Sequence, residues 1–167
     1  GRFTSWLNTE LRIKSGLTYG ARYAMERNRA AGAAYIFSFT GGENTQRAID
    51  LALAQLDRLH GEGLTEAELV SAKAYFKGQT PYEYETAADM ARTIDELSFY
   101  GLDRSRVDTL FREVDAVTLE DCRRVIGRYF SKDNLVFTAI GVKETAAGVL
   151  GGYGELRVRE NGDPGFR

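Results

Sequence analysis

Apolar residues at Phe3, Leu7 and Leu11 recur four apart, and Trp6 widens the same face, while Ser5, Asn8, Thr9, Glu10 and Arg12 fall mostly on others. The spacing predicts an amphipathic helix over 3–15, closed by Gly16, a residue suited to the position just past a helix end. From Leu17 the period drops to two. Tyr19, Ala21, Tyr23 and Met25 alternate with Thr18, Gly20, Arg22 and Ala24, the signature of a strand. After the loop at 27–32, residues 34–40 (AYIFSFT) read as a second strand, so the pair predicts an antiparallel hairpin with a loop too long for the tightest turns.

Gly41-Gly42 breaks the second strand, and Asn44 or Thr45 supplies a cap for a helix with the stripe Ile49, Leu53, Leu56 and His60. The run Thr65-Glu66-Ala67-Glu68 has capping-box spacing and opens a helix through Leu69, Ala72, Lys73 and Phe76 toward Gly78, before Pro81. A third long helix is expected over 83–100, with Ala87, Met90, Ala91, Ile94 and Leu97 inward and Gly101 at its end. A short helix follows around 107–113, and Thr118 opens another carrying Leu119, Cys122, Val125, Ile126, Tyr129 and Phe130. Residues 135–141 (LVFTAIG) read as a buried strand and 155–159 as a weak final one, with a helix between them. Strands and helices are thus segregated, which predicts an α+β fold with helices packed on one face of an antiparallel sheet. At 167 residues the chain suits one domain, here taken as 1–160, with a tail at 161–167.

Charge and composition exclude more than they suggest. Lys plus Arg number 22 and Asp plus Glu 24, a near-balance that gives no electrostatic case for nucleic-acid or anionic-membrane binding. No apolar run approaches the ~20 residues of a membrane span. One cysteine rules out an internal disulfide or a Cys-cluster metal site, and a single histidine, His60, cannot supply the two or three that a zinc hydrolase centre normally needs. The start, Gly1 with no Met and no leader pattern, leads to the expectation that upstream residues have been lost. Any targeting segment would lie there, and one Cys fits both the bacterial periplasm and the cytoplasm.

Two residues carry candidate chemistry. Arg12 falls in the last turn of the first helix and Tyr19 near the head of the following strand, and the Gly16 turn between them lets the side chains converge. A guanidinium and a phenol both donate hydrogen bonds toward a carbonyl oxygen or a developing oxyanion. The same spacing also describes a solvated cation at a helix C-terminus and a half-buried strand aromatic. The run from Gly1 to Gly20 (GRFTSWLNTELRIKSGLTYG) resembles the pitrilysin, insulinase and mitochondrial processing peptidase superfamily, whose C-terminal half has a helix ending Leu-Arg-Glu followed by Gly-Leu-x-Tyr. The resemblance continues through 65–78, Glu85-Thr86, Tyr100-Gly101 and Ala116-Val117-Thr118 with Asp121, and covers the chain to about Gly141. Trp6 stands where the family often has Arg, and Ile13-Lys14 replaces the common Glu-Lys.

The resemblance implies a zinc-less half lacking the first strands and helix of a complete one. Zinc would sit on a homologous partner half, in a heterodimer or the same polypeptide, on an inverted His-x-x-Glu-His helix that this sequence does not contain. Arg12 and Tyr19 would contact the carbonyl and transition state of a peptide substrate. No cofactor or metal is expected on this chain. The alternative is a catalytically inert structural or assembly subunit of the same family, and a third reading is an unrelated α+β binding domain.

The remaining candidates read as structural. His60 ends a helix, where a cation complements the dipole. Lys73, Glu83 and Glu85 suit solvated or structural roles, and the two acids lie around a helix start rather than forming an acid/base pair. Cys122 shares an apolar helix face and reads as an inert thiol. Gly151–Gly154 (GGYG) lacks the strand-to-helix context and Lys of a phosphate loop.

Overall fold

The computed structural model of the protein describes residues 4–160 and 162–163. Phe3, the first member of the opening stripe, and most of the expected tail lie outside the described residues. The elements, in chain order, are α1 (Trp6–Asn8) running into a π-helical segment (Thr9–Lys14), β1 (Ala21–Met25), β2 (Ala34–Ser38), a 3-10 turn (Gly42–Asn44) and α2 (Thr45–Gly61). They continue with α3 (Glu66–Gln79), a 3-10 segment (Thr80–Tyr84), α4 (Ala87–Tyr100), α5 (Ser105–Asp108), α6 (Leu110–Ala116), α7 (Leu119–Tyr129) and α8 (Lys143–Leu150). The described fold is helix-rich α+β with a two-stranded antiparallel sheet, β1 against β2, in the register Ala21↔Ser38 to Met25↔Ala34.

Two compact units partition the chain. The first comprises the described parts of 1–25, 33–57 and 132–167, and the second those of 26–32 and 58–131. The core of the first unit is Leu11, Leu17, Ala21 and Ala48, with Leu7 and Leu51 packed against it. Leu11 is its anchor at 1% exposure, and truncating such a leucine costs about 2–5 kcal/mol. Tyr153, just beyond α8, donates a 2.6 Å hydrogen bond to Asp50 on α2 and stacks at 5.0 Å on Phe137, fastening the C-terminal region to α2 within this unit.

The second unit is organised by its helix caps. Thr65 with Glu68, Thr86 with Asp89 and Thr118 with Asp121 each form a reciprocal capping box, opening α3, α4 and α7 respectively. Gly101 closes α4 in the left-handed conformation at φ 67°, where its N–H reaches the Leu97 and Ser98 carbonyls. Lys73 and Lys77 on α3 both reach Asp115 on α6, the first at its carbonyl oxygen and the second at its carboxylate.

Several expectations are corrected. Residues 135–140 form no strand, and 155–159 form none either. A strand exists only where a neighbour takes its N–H and C=O groups, and no such ladder is made here. Val136 and Ile140 stand 88% and 93% exposed, so the apolar run is not buried, and only Phe137 is drawn inward. The first strand begins at Ala21 rather than at Leu17, because buried Leu17 and Thr18 belong to the turn that leaves the helix. The third long helix begins at Ala87, not at Glu83, since Glu83 belongs to the 3-10 segment that holds Pro81 in its first turn and the Thr86 capping box sets the true start. The stripe expected to face inward on α4 is largely exposed, with Met90 and Ile94 on the surface and Leu97 half-buried.

Candidate functional site

The Arg12–Tyr19 site is built from one short stretch. Helix α1 starts at Ser5, whose hydroxyl accepts from the Asn8 N–H. It then widens into π-type winding, with the Ser15 N–H reaching the Glu10 carbonyl, five residues back. Single π turns are rare and concentrate at functional sites. Gly16 follows at φ 64°, a left-handed conformation that reverses the chain, and the Leu17 and Thr18 N–H groups return to the Leu11 carbonyl. The exit turn is therefore fastened to the backbone of the most buried residue in the unit.

That reversal brings the two side chains together. The Arg12 guanidinium carbon lies 4.4 Å from the centroid of the Tyr19 ring, within cation–π range. Arg12 is half-buried, whereas Tyr19 is 74% exposed and its hydroxyl makes no hydrogen bond among the described residues. A planar cation lies against the ring, and the residue that carries the phenol is largely exposed. The arrangement offers hydrogen-bond donors to a carbonyl or oxyanion approaching that surface.

Polar residues that the sequence pattern did not single out hold this geometry. Asn8 Oδ1 accepts from the Ala21 N–H at 2.8 Å, tying the head of β1 to the helix that carries Arg12. Buried Thr18 donates through Oγ1 to the Gly20 carbonyl at 2.9 Å and accepts from the Gly20 N–H at 3.1 Å, closing a small turn with Tyr19 at its tip. Ser38 Oγ on β2 lies 3.0 Å from Thr18 Oγ1 and 3.1 Å from the Gly20 carbonyl oxygen, so its one proton serves two acceptors. Thr40 donates to the Leu17 carbonyl at 2.6 Å. The available signal was Asn8 one turn before Arg12 and a threonine and glycine flanking Tyr19, but short polar residues in such places are common.

The other candidates sit elsewhere. His60 Nε2 lies 2.6 Å from the Phe130 carbonyl oxygen, and since a carbonyl only accepts, that nitrogen carries the proton and donates. Glu83 and Glu85 are exposed on the segment before α4. Cys122 is half-buried, and burial pushes its thiol above the ordinary range, which disfavours the reactive thiolate. Among the described residues no group of three or more His, Cys, Asp or Glu is arranged to hold a metal ion. With one histidine already engaged, the donor set does not fit a zinc centre. No helix among the described residues is long and apolar enough to cross a membrane.

Fold and site define a zinc-less α+β domain presenting an arginine–tyrosine pair. Residues 1–76, which include that pair, match the family described as the peptidase M16 inactive domain. Over these residues the chain is similar to the inactive domain of the peptidase M16 family. Among solved structures it is similar to a peptidase M16 inactive domain from Pseudomonas fluorescens, with 26% identity and a TM-score of 0.69 over 77% of this chain and 30% of that one. A protease from Helicobacter pylori shares the fold at 22% identity and a TM-score of 0.64, over 78% of this chain and 32% of that one. The chain is also 22% identical over 144 residues to a protein of Helicobacter pylori (strain ATCC 700392 / 26695) described as "Non-peptidase homolog YmxG", covering 86% of this chain and 33% of the relative. The chain therefore spans about a third of the length of these relatives.

Proposed function

We propose that this domain serves as the non-zinc-binding half of a zinc metalloendopeptidase, working with a homologous zinc-bearing half on a partner subunit or in the same polypeptide. The observation that carries the reading is the Arg12–Tyr19 pair, stacked at 4.4 Å with the phenol exposed. In this role Tyr19 donates its hydroxyl proton into a hydrogen bond with the substrate carbonyl, and Arg12 holds the ring and adds positive charge where negative charge develops. This chain contributes binding and orientation, and the hydrolytic chemistry belongs to the partner.

The test is turnover of a peptide by the assembled pair. Arg12→Ala and Tyr19→Phe should each lower it by about 10–1000-fold, as removal of one oxyanion-type donor does, with association intact. Unchanged turnover in both variants would overturn the reading. A second reading, an inert structural subunit, is favoured by the description of the Helicobacter relative as a non-peptidase homologue. It makes the opposite forecast, in which neither substitution matters to any peptide-cleaving activity.

A further inference from the structure

We infer that Asn8 is the positioning residue of the Arg12–Tyr19 pair, coupling the helix that carries the guanidinium to the turn that carries the phenol. The inference deepens the peptidase reading and rests on it for its functional consequence, but its geometric content stands separately. Tyr19 is exposed and makes no hydrogen bond of its own among the described residues, so its placement is inherited from its neighbours Thr18 and Gly20 and from Ala21. Thr18 and Gly20 are locked to each other and to Ser38 on β2, which makes the turn and the hairpin one piece. Arg12 belongs to a different piece, the α1–π helix.

Two kinds of link join the pieces around the site. One is the covalent passage through Gly16, whose left-handed turn is tied to the Leu11 carbonyl. The other is the Asn8 side chain, four residues before Arg12, accepting from the Ala21 N–H two residues beyond Tyr19. Ala21 pairs with Ser38 on its other side in the hairpin register, so Asn8 fastens the helix to the strand head at the point where the hydroxyl network begins. Ala21 is itself buried, and an amide there without an acceptor is costly, so the linkage resists opening. Without Asn8 the turn keeps its internal bonds, its ties to the Leu11 carbonyl and its packing on Leu11, but the strand head just beyond Tyr19 loses its hydrogen bond to the helix, and Tyr19 shifts from its place over Arg12.

The experiment uses the protein in its assembled form with ¹⁵N-arginine label in this chain. The Arg12 side-chain N–H signal, assigned by its loss in Arg12→Lys, should carry a ring-current shift that Tyr19→Leu abolishes. Asn8→Ala should lose most of that shift, and Asn8→Asp, whose carboxylate oxygen accepts in the same place, should keep it. Should Asn8→Ala fail to fold, Asn8→Gln carries the same test, since its acceptor is displaced by one methylene. A shift retained in Asn8→Ala or Asn8→Gln, or lost in Asn8→Asp, overturns the inference. Turnover is read alongside. Asn8→Ala should lower kcat with little change in KM, and combining it with Tyr19→Phe should add little. If Arg12→Ala and Tyr19→Phe leave turnover unchanged while the shifts behave as stated, the peptidase reading fails and the positioning role stands.

Discussion

Arg12 stacks its guanidinium over the ring of Tyr19, seven residues later, rather than pointing beside its hydroxyl. The stacking separates two contributions that substitution can tell apart. Tyr19→Phe keeps the ring under the cation and removes only the hydroxyl, whereas Tyr19→Leu removes both. Turnover by the assembled pair should fall in both variants, and further in Tyr19→Leu. Arg12→Lys should fall between wild type and Arg12→Ala, because an ammonium keeps the charge and loses the planar fork. Steady-state peptide hydrolysis with each variant checks the order, and equal activity of Tyr19→Phe and wild type would remove the hydroxyl from the account.

Gly16 is the covalent hinge of the site. Its φ of 64° suits glycine, and a Cβ added there meets nothing within 4 Å, so backbone strain alone sets the cost of Gly16→Ala. That strain is about 1–2 kcal/mol. Urea denaturation should show a loss of this size, and the Arg12–Tyr19 ring-current shift should weaken with it. A variant as stable as wild type would show that the turn tolerates another conformation.

Acid should loosen the second unit through its helix caps. Thr118 and Arg124 hold the Asp121 carboxyl down to about 2 from its ordinary value of 3.8, the largest cause being the hydrogen bond from the Thr118 side chain. A carboxyl depressed on folding stabilises the folded state above its unfolded pKa. The benefit is lost as pH falls from about 4 through 2. Asp89, capped by Thr86, is shifted in the same direction. Thr118→Ala should cost about 1 kcal/mol at neutral pH, the usual worth of an N-cap, and the deficit against wild type should shrink in acid. Thermal melts at neutral pH and across pH 2–5 test this, and a deficit that stays constant would place the stabilisation elsewhere.

The alkaline side is governed by Tyr153. Burial and its bond to Asp50 push the phenol up to about 12. A group whose pKa rises on folding stabilises below its unfolded value, near 10, and loses that contribution as pH climbs through 12. Ultraviolet titration of the tyrosines should show a late step that disappears in Tyr153→Phe. Asp50→Asn should bring the step back toward 10, since it removes the negative charge facing the phenol.

The local code of this chain was largely legible, and its long-range pairing was not. Gly16, Gly101 and the Thr65–Glu68 box could be read because a left-handed glycine or a capping box is decided within a few residues. The convergence of Arg12 and Tyr19 was readable for the same reason. Residues 135–141 have the pattern of a buried strand and form none, because apolar content shows that a segment suits a sheet but not that a neighbour pairs with it. The α4 stripe was readable as amphipathic, yet Met90 and Ile94 lie exposed, since periodicity names a face without naming what covers it. The role of Asn8 has no local signal, because its acceptor function depends on Ala21 arriving beside it after the chain reverses.

The most direct measurement is cleavage of a quenched fluorescent peptide library by this protein alone, by a homologous zinc-bearing half that associates with it, and by the two mixed, each with and without a chelator. The account predicts chelator-sensitive cleavage that appears, or rises sharply, only in the mixture and falls when this chain carries Arg12→Ala. Demonstrated association with no gain in cleavage would contradict it and would reduce the Arg12–Tyr19 pair to a structural contact.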